Sequence, residues 1–226
     1  MTAPAPDTTR PTVPELAFRI AGAEPETHAA VPTLRFTLEV TASGAVRAVS
    51  LTTTVRVEPA RAPHPPEVRE GLTELFGLPR EWSRSMRPLP WAQLTSHLPP
   101  FAGRTTVPLL LPCTTDPELA VTKYLRAVRD SRVPLGFLFN GTVFYDGSPP
   151  GHTGALMAAA IPWSAETTHD LPAEVWHRLV DRYHGAQPWL RLSRATHDRL
   201  DAYRLRQVLG SADDAVRELL DRSGAP

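Results

Sequence analysis

The fold is decided by the stretch Val133-Pro-Leu-Gly-Phe-Leu-Phe-Asn-Gly-Thr-Val-Phe-Tyr145. Two runs rich in β-branched and aromatic residues flank Asn140-Gly141, a dipeptide that tolerates the positive φ angles of a two-residue hairpin turn. The pattern therefore predicts a β-hairpin over residues 133–145, with its turn at Asn140-Gly141.

Other segments alternate between apolar and polar residues with the period of two that is typical of a half-buried strand. The clearest are residues 34–40 and 46–57, which Ser43-Gly44 separates as a plausible turn, and we predict that they pair as an antiparallel hairpin. Pro108 indicates an edge strand or a bulge, because proline cannot donate to a strand ladder. The further predicted strands are residues 16–20, 91–98, 105–111 and 155–161.

Capping residues and apolar stripes predict the helices. Residues 68–76 have apolar side chains at i, i+4, i+7 and i+8, followed by a possible C-terminal cap at Gly77. Asp116-Pro117-Glu118 has the cap, the proline and the acidic residue of a helix start. From residue 171 onwards the pattern is helical, with boundary residues at Gly185, Ser193 and Ser211 and with Leu200, Tyr203 and Val208 facing inwards.

Strands followed by helices predict the α+β fold class, with an antiparallel, sandwich-like β-sheet and a helical C-terminal third. We divide the chain into three parts. Residues 1–13 are a predicted disordered tail, because they lack the apolar residues that offset ordering entropy. Residues 14–165 form a mainly antiparallel β domain with two inserted helices. Residues 166–226 form a helical part packed on the same core.

Composition argues against several functions. Lys+Arg and Asp+Glu both number 24, so the formal net charge is zero, whereas a nucleic-acid binder normally has a basic surplus. No apolar run reaches the length of a membrane span, and the first ten residues lack the basic and apolar regions of a secretory signal. We therefore expect a cytoplasmic protein with no nucleic-acid partner, no membrane span and no cofactor.

The single cysteine, Cys113, excludes an internal disulfide and a Cys-rich zinc site. Cys113 could act as a nucleophile with His97 or His152 as its base. Such a catalytic thiol needs a lowered pKa. Its position at the end of a leucine run favours a buried structural residue instead.

One helical cluster has the composition of a metal site. His177, Asp181 and His184 fall at i, i+4 and i+7 of the predicted helix, so imidazole and carboxylate groups lie on one side of it. Such groups ligate zinc and other divalent ions. A solvated helix face is the alternative interpretation of the same residues.

Several of the five tryptophans lie close to prolines in the sequence, and we single out Trp82, Trp91 and Trp163 as candidates for binding. Exposed aromatic side chains in loops are typical of protein-binding surfaces. The alternative is that these indoles cover the core, because tryptophan is usually mostly buried.

A long set of landmarks resembles an uncharacterised family of actinobacterial proteins, a domain of unknown function. Members are often encoded near uptake-hydrogenase genes, so the resemblance implies an accessory role, and it supplies no catalytic residues. The resemblance covers residues 15–205 and rests on Glu58-Pro-Ala-Arg61, Leu75-Phe-Gly77, Trp82, Trp91, Pro99-Pro-Phe-Ala-Gly103, Pro112-Cys-Thr114, Lys123-Tyr-Leu125, Leu138-Phe-Asn-Gly-Thr-Val-Phe144, Ile161-Pro-Trp163 and Trp189-Leu190.

The chain also resembles, more weakly, the SecB-type export chaperones. The likeness rests on antiparallel strands followed by Pro112-Cys113, a helix containing Tyr124 and an extended segment at 133–145. It implies a SecB-like sheet. The insertion at 59–90 and the long helical tail depart from that pattern, so the tetramer and client grooves of those chaperones are not carried over.

These observations give three hypotheses. The first is a non-catalytic accessory or assembly protein, hydrogenase-associated or chaperone-like, that binds a protein partner through sheet edges and Pro/Trp loops. The alternative is a divalent-metal-dependent hydrolase that uses His177, Asp181 and His184. The third is a structural subunit whose Trp-rich loops are buried in an oligomer. We prefer the first, in which the protein is not an enzyme.

Overall fold

The two ends of the chain differ in structure: strands dominate the first part, and two helices form the last. The computed structural model describes residues 12–113, 116, 119–147, 155–185 and 190–224. Most of the predicted disordered tail, residues 1–11, lies outside these ranges. The chain divides into two compact units, Met1–Gln187 and Pro188–Pro226. The boundary that we predicted at residue 166 stays a prediction.

Three antiparallel strands form the first sheet in the order β1–β2–β5: β1 (Leu16–Pro25), β2 (Thr33–Ala42) and β5 (Arg104–Pro112). The burial along β2 follows the predicted alternation. The apolar residues Leu34, Phe36, Leu38 and Val40 are buried, and the residues between them are partly exposed. β5 lies at the sheet edge, with Pro108 opposite Thr37. The edge position predicted from Pro108 is confirmed.

The second sheet has the order β4–β3–β6–β7, and β8 also pairs with β6. Its strands are β3 (Ala48–Val57), β4 (Leu89–Leu98), β6 (Arg132–Asp146), β7 (Leu156–Ala160) and β8 (Glu166–Pro172). The strand pairings of both sheets are antiparallel. Together with the helices they confirm the α+β class.

The predicted hairpin between residues 34–40 and 46–57 is wrong in its pairing. Both segments are strands, but β2 belongs to the first sheet and β3 to the second. Their buried faces contribute to one core. Two strands that face each other across a sandwich have the same alternation as two strands that pair, so the pattern gives the buried face and not the partner.

The predicted hairpin at 133–145 is also wrong. β6 runs without a turn through Asn140 and Gly141, which lie opposite Thr52 and Leu51 of β3. A Cβ atom at Gly141 would lie 2.0 Å from the carbonyl oxygen of Ser50, and the residue has a φ of +140°. Glycine is therefore required here by the close approach of β3, which is the other common role of glycine in a strand.

The helices are α1 (Pro66–Phe76), α2 (Trp82–Ser85), α3 (Ala120–Ala127), α4 (Ala173–His184), α5 (Arg194–Arg206) and α6 (Ala212–Ser223). The predicted boundary residues Gly77, Gly185, Ser193 and Ser211 are confirmed as caps. For example, the Thr196 amide donates to Ser193 Oγ over 3.2 Å, and the Asp214 amide donates to Ser211 Oγ over 3.1 Å.

The start of α3 differs from the prediction. The N-cap residue is Leu119, without a side-chain cap, and not Asp116, while Pro117 and Glu118 lie outside the described residues. The start of α4 also differs, because residues 171 and 172 complete β8 before the helix begins.

Aromatic contacts join the two sheets of the first unit. Phe18 stacks on Phe139 with ring centroids 4.3 Å apart, and Phe36 meets Phe137 edge to face at 5.2 Å. α3 adds the fully buried Tyr124 to the same core. The first unit therefore has a continuous apolar interior that fixes the positions of its strand edges.

Candidate functional site

The outer edge of the second sheet is interrupted in the middle. β8 pairs with the first part of β6, ending at Leu138 opposite Glu166, and β7 pairs with the last part, starting at Thr142 opposite Ala160. A segment of five residues, 161–165, therefore lies opposite a segment of three, 139–141. The extra residues form a bulge, a feature that often re-aims a side chain near a functional site.

Backbone hydrogen bonds fix both ends of this bulge. The Ile161 amide donates to the Gly141 carbonyl over 3.0 Å, and the Phe139 amide donates to the Ala165 carbonyl over 2.9 Å. Within the bulge, the Ala165 amide donates to the Pro162 carbonyl over 3.0 Å. The segment Pro162-Trp163-Ser164 is thus held by the core strand β6 and projects away from it.

Trp163, in this bulge, is 91% exposed. Tryptophan is normally among the most buried side chains on average, so an indole in this position is unusual for a surface residue. Leu156, which is 63% exposed, and the less exposed Met157 lie at the other end of β7, away from this bulge. Tryptophan is one of the residue types that are enriched at binding hot spots.

A largely apolar cavity of about 400 Å³ lies beside the bulge. The cavity is lined by the start of the described chain, by β6 and by the bulge side: Val13, Pro14, Glu15, Leu16, Val143, Ala160, Ile161 and Pro162. We call Trp163 together with this cavity the Trp163 surface. Apart from Glu15, its residues are apolar and suit contact with apolar side chains.

The other two predicted binding tryptophans pack on the core. Trp82 is half-buried, and its Nε1 donates to the Gly77 carbonyl over 2.9 Å. Its ring meets the edge of Phe76 at 6.5 Å. Trp91, in β4, is also half-buried and packs against the core. The structure therefore brings neither of them to the Trp163 surface, and their binding role stays a prediction.

The helical His/Asp cluster is only partly described. His177 is half-buried, its Nε2 donates to the Leu125 carbonyl over 2.9 Å, and burial lowers the pKa of its imidazole. Asp181 is exposed, and the side chain of His184 lies outside the described residues. Among the side chains that the structure describes, no group of three His, Cys, Asp or Glu could hold a metal ion. The hydrolase alternative stays a prediction.

Cys113 is buried, with its Sγ 3.6 Å from the Leu111 carbonyl oxygen. Burial raises the pKa of its thiol to about 12. A thiol with this pKa is protonated at neutral pH, whereas the nucleophile is the thiolate. Of its two suggested partners, His97 is exposed on β4 and His152 lies outside the described residues.

Sequence reasoning found Trp163 but missed the strand that makes its bulge. β8 alternates between half-buried Thr167 and His169, buried Leu171, and exposed residues between them. This alternation was a usable signal, but the segment contains few β-branched or aromatic residues of the kind that usually mark a strand.

The fold and this surface define an antiparallel two-sheet α+β protein with an aromatic bulge on one sheet edge and a separate helical unit. The chain belongs to the family described as "Family of unknown function (DUF6084)", whose model matches residues 13–226. The resemblance to an uncharacterised family is thereby confirmed. None of the helices in the described ranges is long and apolar enough to cross a membrane.

Other comparisons give little. No curated protein matches the chain. A solved structure reported as a novel β-glucosidase from Paenibacillus barengoltzii matches with 13% sequence identity and a TM-score of 0.26. The match covers 66% of this chain and 18% of that chain. A similarity of this size supports no statement about fold or activity.

Proposed function

We propose that the chain is a non-catalytic accessory or assembly protein that binds a protein partner, with Trp163 as the anchor residue. The observation that carries this proposal is the 91% exposure of Trp163 in a bulge whose two ends are hydrogen-bonded to β6. An exposed indole on a fixed backbone is costly in water and becomes favourable when a partner covers it.

Covering the Trp163 indole should contribute considerably to the free energy of binding. Covering roughly 200 Å² of indole at about 25 cal/mol per Å² contributes on the order of 5 kcal/mol before the entropic cost of association. The hydrogen bonds that hold Ile161 and Ala165 reduce that cost, because the bulge is already ordered before binding.

The strand edge beside Trp163 offers a second kind of contact. β7 pairs with β6 on one side, and no described strand pairs with its other side. An extended segment of a partner adds to such an edge through main-chain hydrogen bonds, while an exposed side chain nearby provides specificity. An edge of this kind supports a peptide or protein partner.

The biological setting that we propose comes from the family resemblance. It implies an accessory role next to uptake hydrogenases, so the partner class is a hydrogenase subunit, or a partly folded client in the chaperone-like version. The cytoplasm is the proposed compartment. The zero formal net charge supports a protein partner over a nucleic acid.

Affinity capture from native cells with variants of the full chain tests this proposal. We expect wild type to retain a discrete partner that Trp163→Ala loses at least tenfold and that Trp163→Phe partly recovers. Val31→Ala, which truncates an exposed apolar side chain elsewhere in the first unit, is the matched control and should capture as wild type does. Equal capture by Trp163→Ala, or no partner at all, would contradict the proposal.

A further inference from the structure

The second unit has an apolar groove that is separate from the Trp163 surface. It has a volume of about 480 Å³, and all its lining residues lie between Leu190 and Leu219. The apolar part of the lining comes from the segment before α5, from α5 and from α6: Leu190, Leu192, Leu200, Val216 and Leu219. We call this cavity the helical groove.

The apolar residues of this unit are largely exposed. Leu190 is 72% exposed, no residue of α5 is buried, and Ala215 is the buried residue of α6. Val208, which we predicted to face inwards, is 90% exposed and has a φ of +57°, so that prediction is wrong. Its left-handed backbone follows the end of α5. The two helices thus leave apolar surface available for another molecule.

Positive charge borders the helical groove. Arg199 and Arg206 line it, and Arg194 lines an adjoining depression, while the linings of both contain no carboxylate. Several carboxylates in the described part of this unit pair with other arginines: Asp201 with Arg204, Asp213 and Asp214 with Arg217, and Glu218 with Arg222. The groove therefore combines an apolar floor with a cationic border.

A buried donor lies in the same place. The Tyr203 side chain lines the helical groove, and its hydroxyl is buried without a hydrogen-bond partner among the described residues. Arg222 lies over the Tyr203 ring with its Cζ 5.8 Å from the centroid. The hydroxyl is covered by protein, so the part of Tyr203 that faces the groove is its ring.

We propose that the helical groove binds an acidic amphipathic helix of a protein partner. The apolar floor suits the i, i+3, i+4, i+7 face of such a helix. Arg199 and Arg206 are seven residues apart, about 10 Å along α5 at 1.5 Å per residue, which matches carboxylates about two turns apart on a bound helix. Arginine forms strong, often bidentate, hydrogen bonds with carboxylates.

A display library of helical 18-residue peptides, selected against the immobilised full chain, tests this inference. The expected winners have leucine or aromatic residues at i, i+4 and i+7, with Asp or Glu on the border of that face. Winners without acidic residues, or no enrichment, would overturn the proposal.

Matched variants then locate the binding site by fluorescence anisotropy of one labelled winner. Arg199→Glu with Arg206→Glu should weaken binding at least thirtyfold. Arg84→Glu with Arg87→Glu, the same charge change at exposed sites in the first unit, should change it less than twofold. Tyr203→Phe should change it less than twofold, because the hydroxyl that it removes is covered by protein and the ring that lines the groove is kept. Equal weakening by both charge reversals would overturn the assignment to this groove.

Four further measurements complete the test. Circular dichroism should show that the variants keep their helix content, and Arg199→Gln with Arg206→Gln provides a milder pair if charge reversal unfolds the helices. Trp163→Ala should bind the peptide as wild type does, so failure here is distinguishable from failure of the function proposed above. Binding to phosphatidylglycerol vesicles without peptide selection, or a dimer that Arg199→Glu with Arg206→Glu dissociates, would assign the groove to a membrane or to a second copy and overturn the proposal.

Discussion

The two units differ in how they use their apolar residues. In the first, Leu34, Phe36 and Phe137 are fully buried. In the second, Leu190 and Leu205 are mostly exposed, although the unit is rich in leucine. The first unit therefore has a closed core, whereas the second has caps and ion pairs along its helices and leaves much of its apolar surface exposed.

The first unit has one clear exception to this difference. Trp163 is as exposed as any apolar residue of the helical unit, yet it lies on a strand edge that the core holds rigidly. Both candidate binding sites are therefore apolar surfaces that folding leaves uncovered. They differ in the elements that carry them: Trp163 lies at the edge of a sheet, and the helical groove lies on two helices.

The largest expected effect is on the core of the first unit. Replacement of Gly141 by Val should cost more than about 5 kcal/mol, because its Cβ would lie 2.0 Å from the Ser50 carbonyl oxygen of the paired strand β3. Urea unfolding followed by circular dichroism measures the change. We expect the β signal to be lost in buffer.

Gly22→Ala in β1 is the control for this substitution. A Cβ there meets nothing within 4 Å, so the unfolding midpoint should move little. A Gly141→Val protein with wild-type stability would mean that β6 does not pair with β3 in the register described.

A smaller effect, again on the free energy of unfolding, should differ between a core residue of the first unit and an exposed residue of the second. Phe137→Ala should lower the free energy of unfolding by about 3–5 kcal/mol, because it leaves a cavity at the contact with Phe36. Leu205→Ala, at a residue that is 61% exposed, should change it by less than about 0.5 kcal/mol. Thermal unfolding of both variants checks this. Similar losses would show that Leu205 is covered and that the contrast between the units is wrong.

The strands were largely predictable from sequence, and their partners were not. Alternation located β2 and β3, and Pro108 placed β5 at an edge, because these are local properties of a chain in a sheet. Pairing depends on the approach of distant segments. Asn140-Gly141 illustrates the limit: its glycine suits a turn or a close backbone contact equally well, and only the position of Ser50 decides between them.

The candidate sites were predictable only in part. The sequence marks Trp163 as an aromatic residue beside a proline, but its exposure follows from the unequal lengths of 161–165 and 139–141. The helical groove was not foreseen. The sequence shows arginines balanced by nearby acids, and the structure shows that Arg199 and Arg206 lie where no carboxylate lines the groove.

The smallest expected effect is a pH dependence near neutral pH that comes from histidines of the first unit. Burial lowers the pKa of His64, His169 and His177 there, so the unfolded chain binds more protons than the folded one as pH falls below about 6.5. The contribution of these three histidines to the free energy of unfolding is fully present above that pH. It is lost as the pH falls toward their lower folded-state pKa values.

His177→Gln should make this decline shallower, because one titrating group is removed while an N–H donor to the Leu125 carbonyl is kept. Thermal midpoints between pH 5.5 and 7.5 measure the slope. A slope equal to that of wild type would mean that His177 does not contribute to it.

The most direct test of the central claim is site-specific photo-crosslinking from position 163 in native cells. The full chain carries p-benzoylphenylalanine in place of Trp163 and, in a separate control, in place of the exposed Val31. If Trp163 is the anchor for a protein partner, position 163 gives a discrete adduct with another protein and position 31 does not. No adduct at position 163, or the same adducts from both positions, would contradict the account.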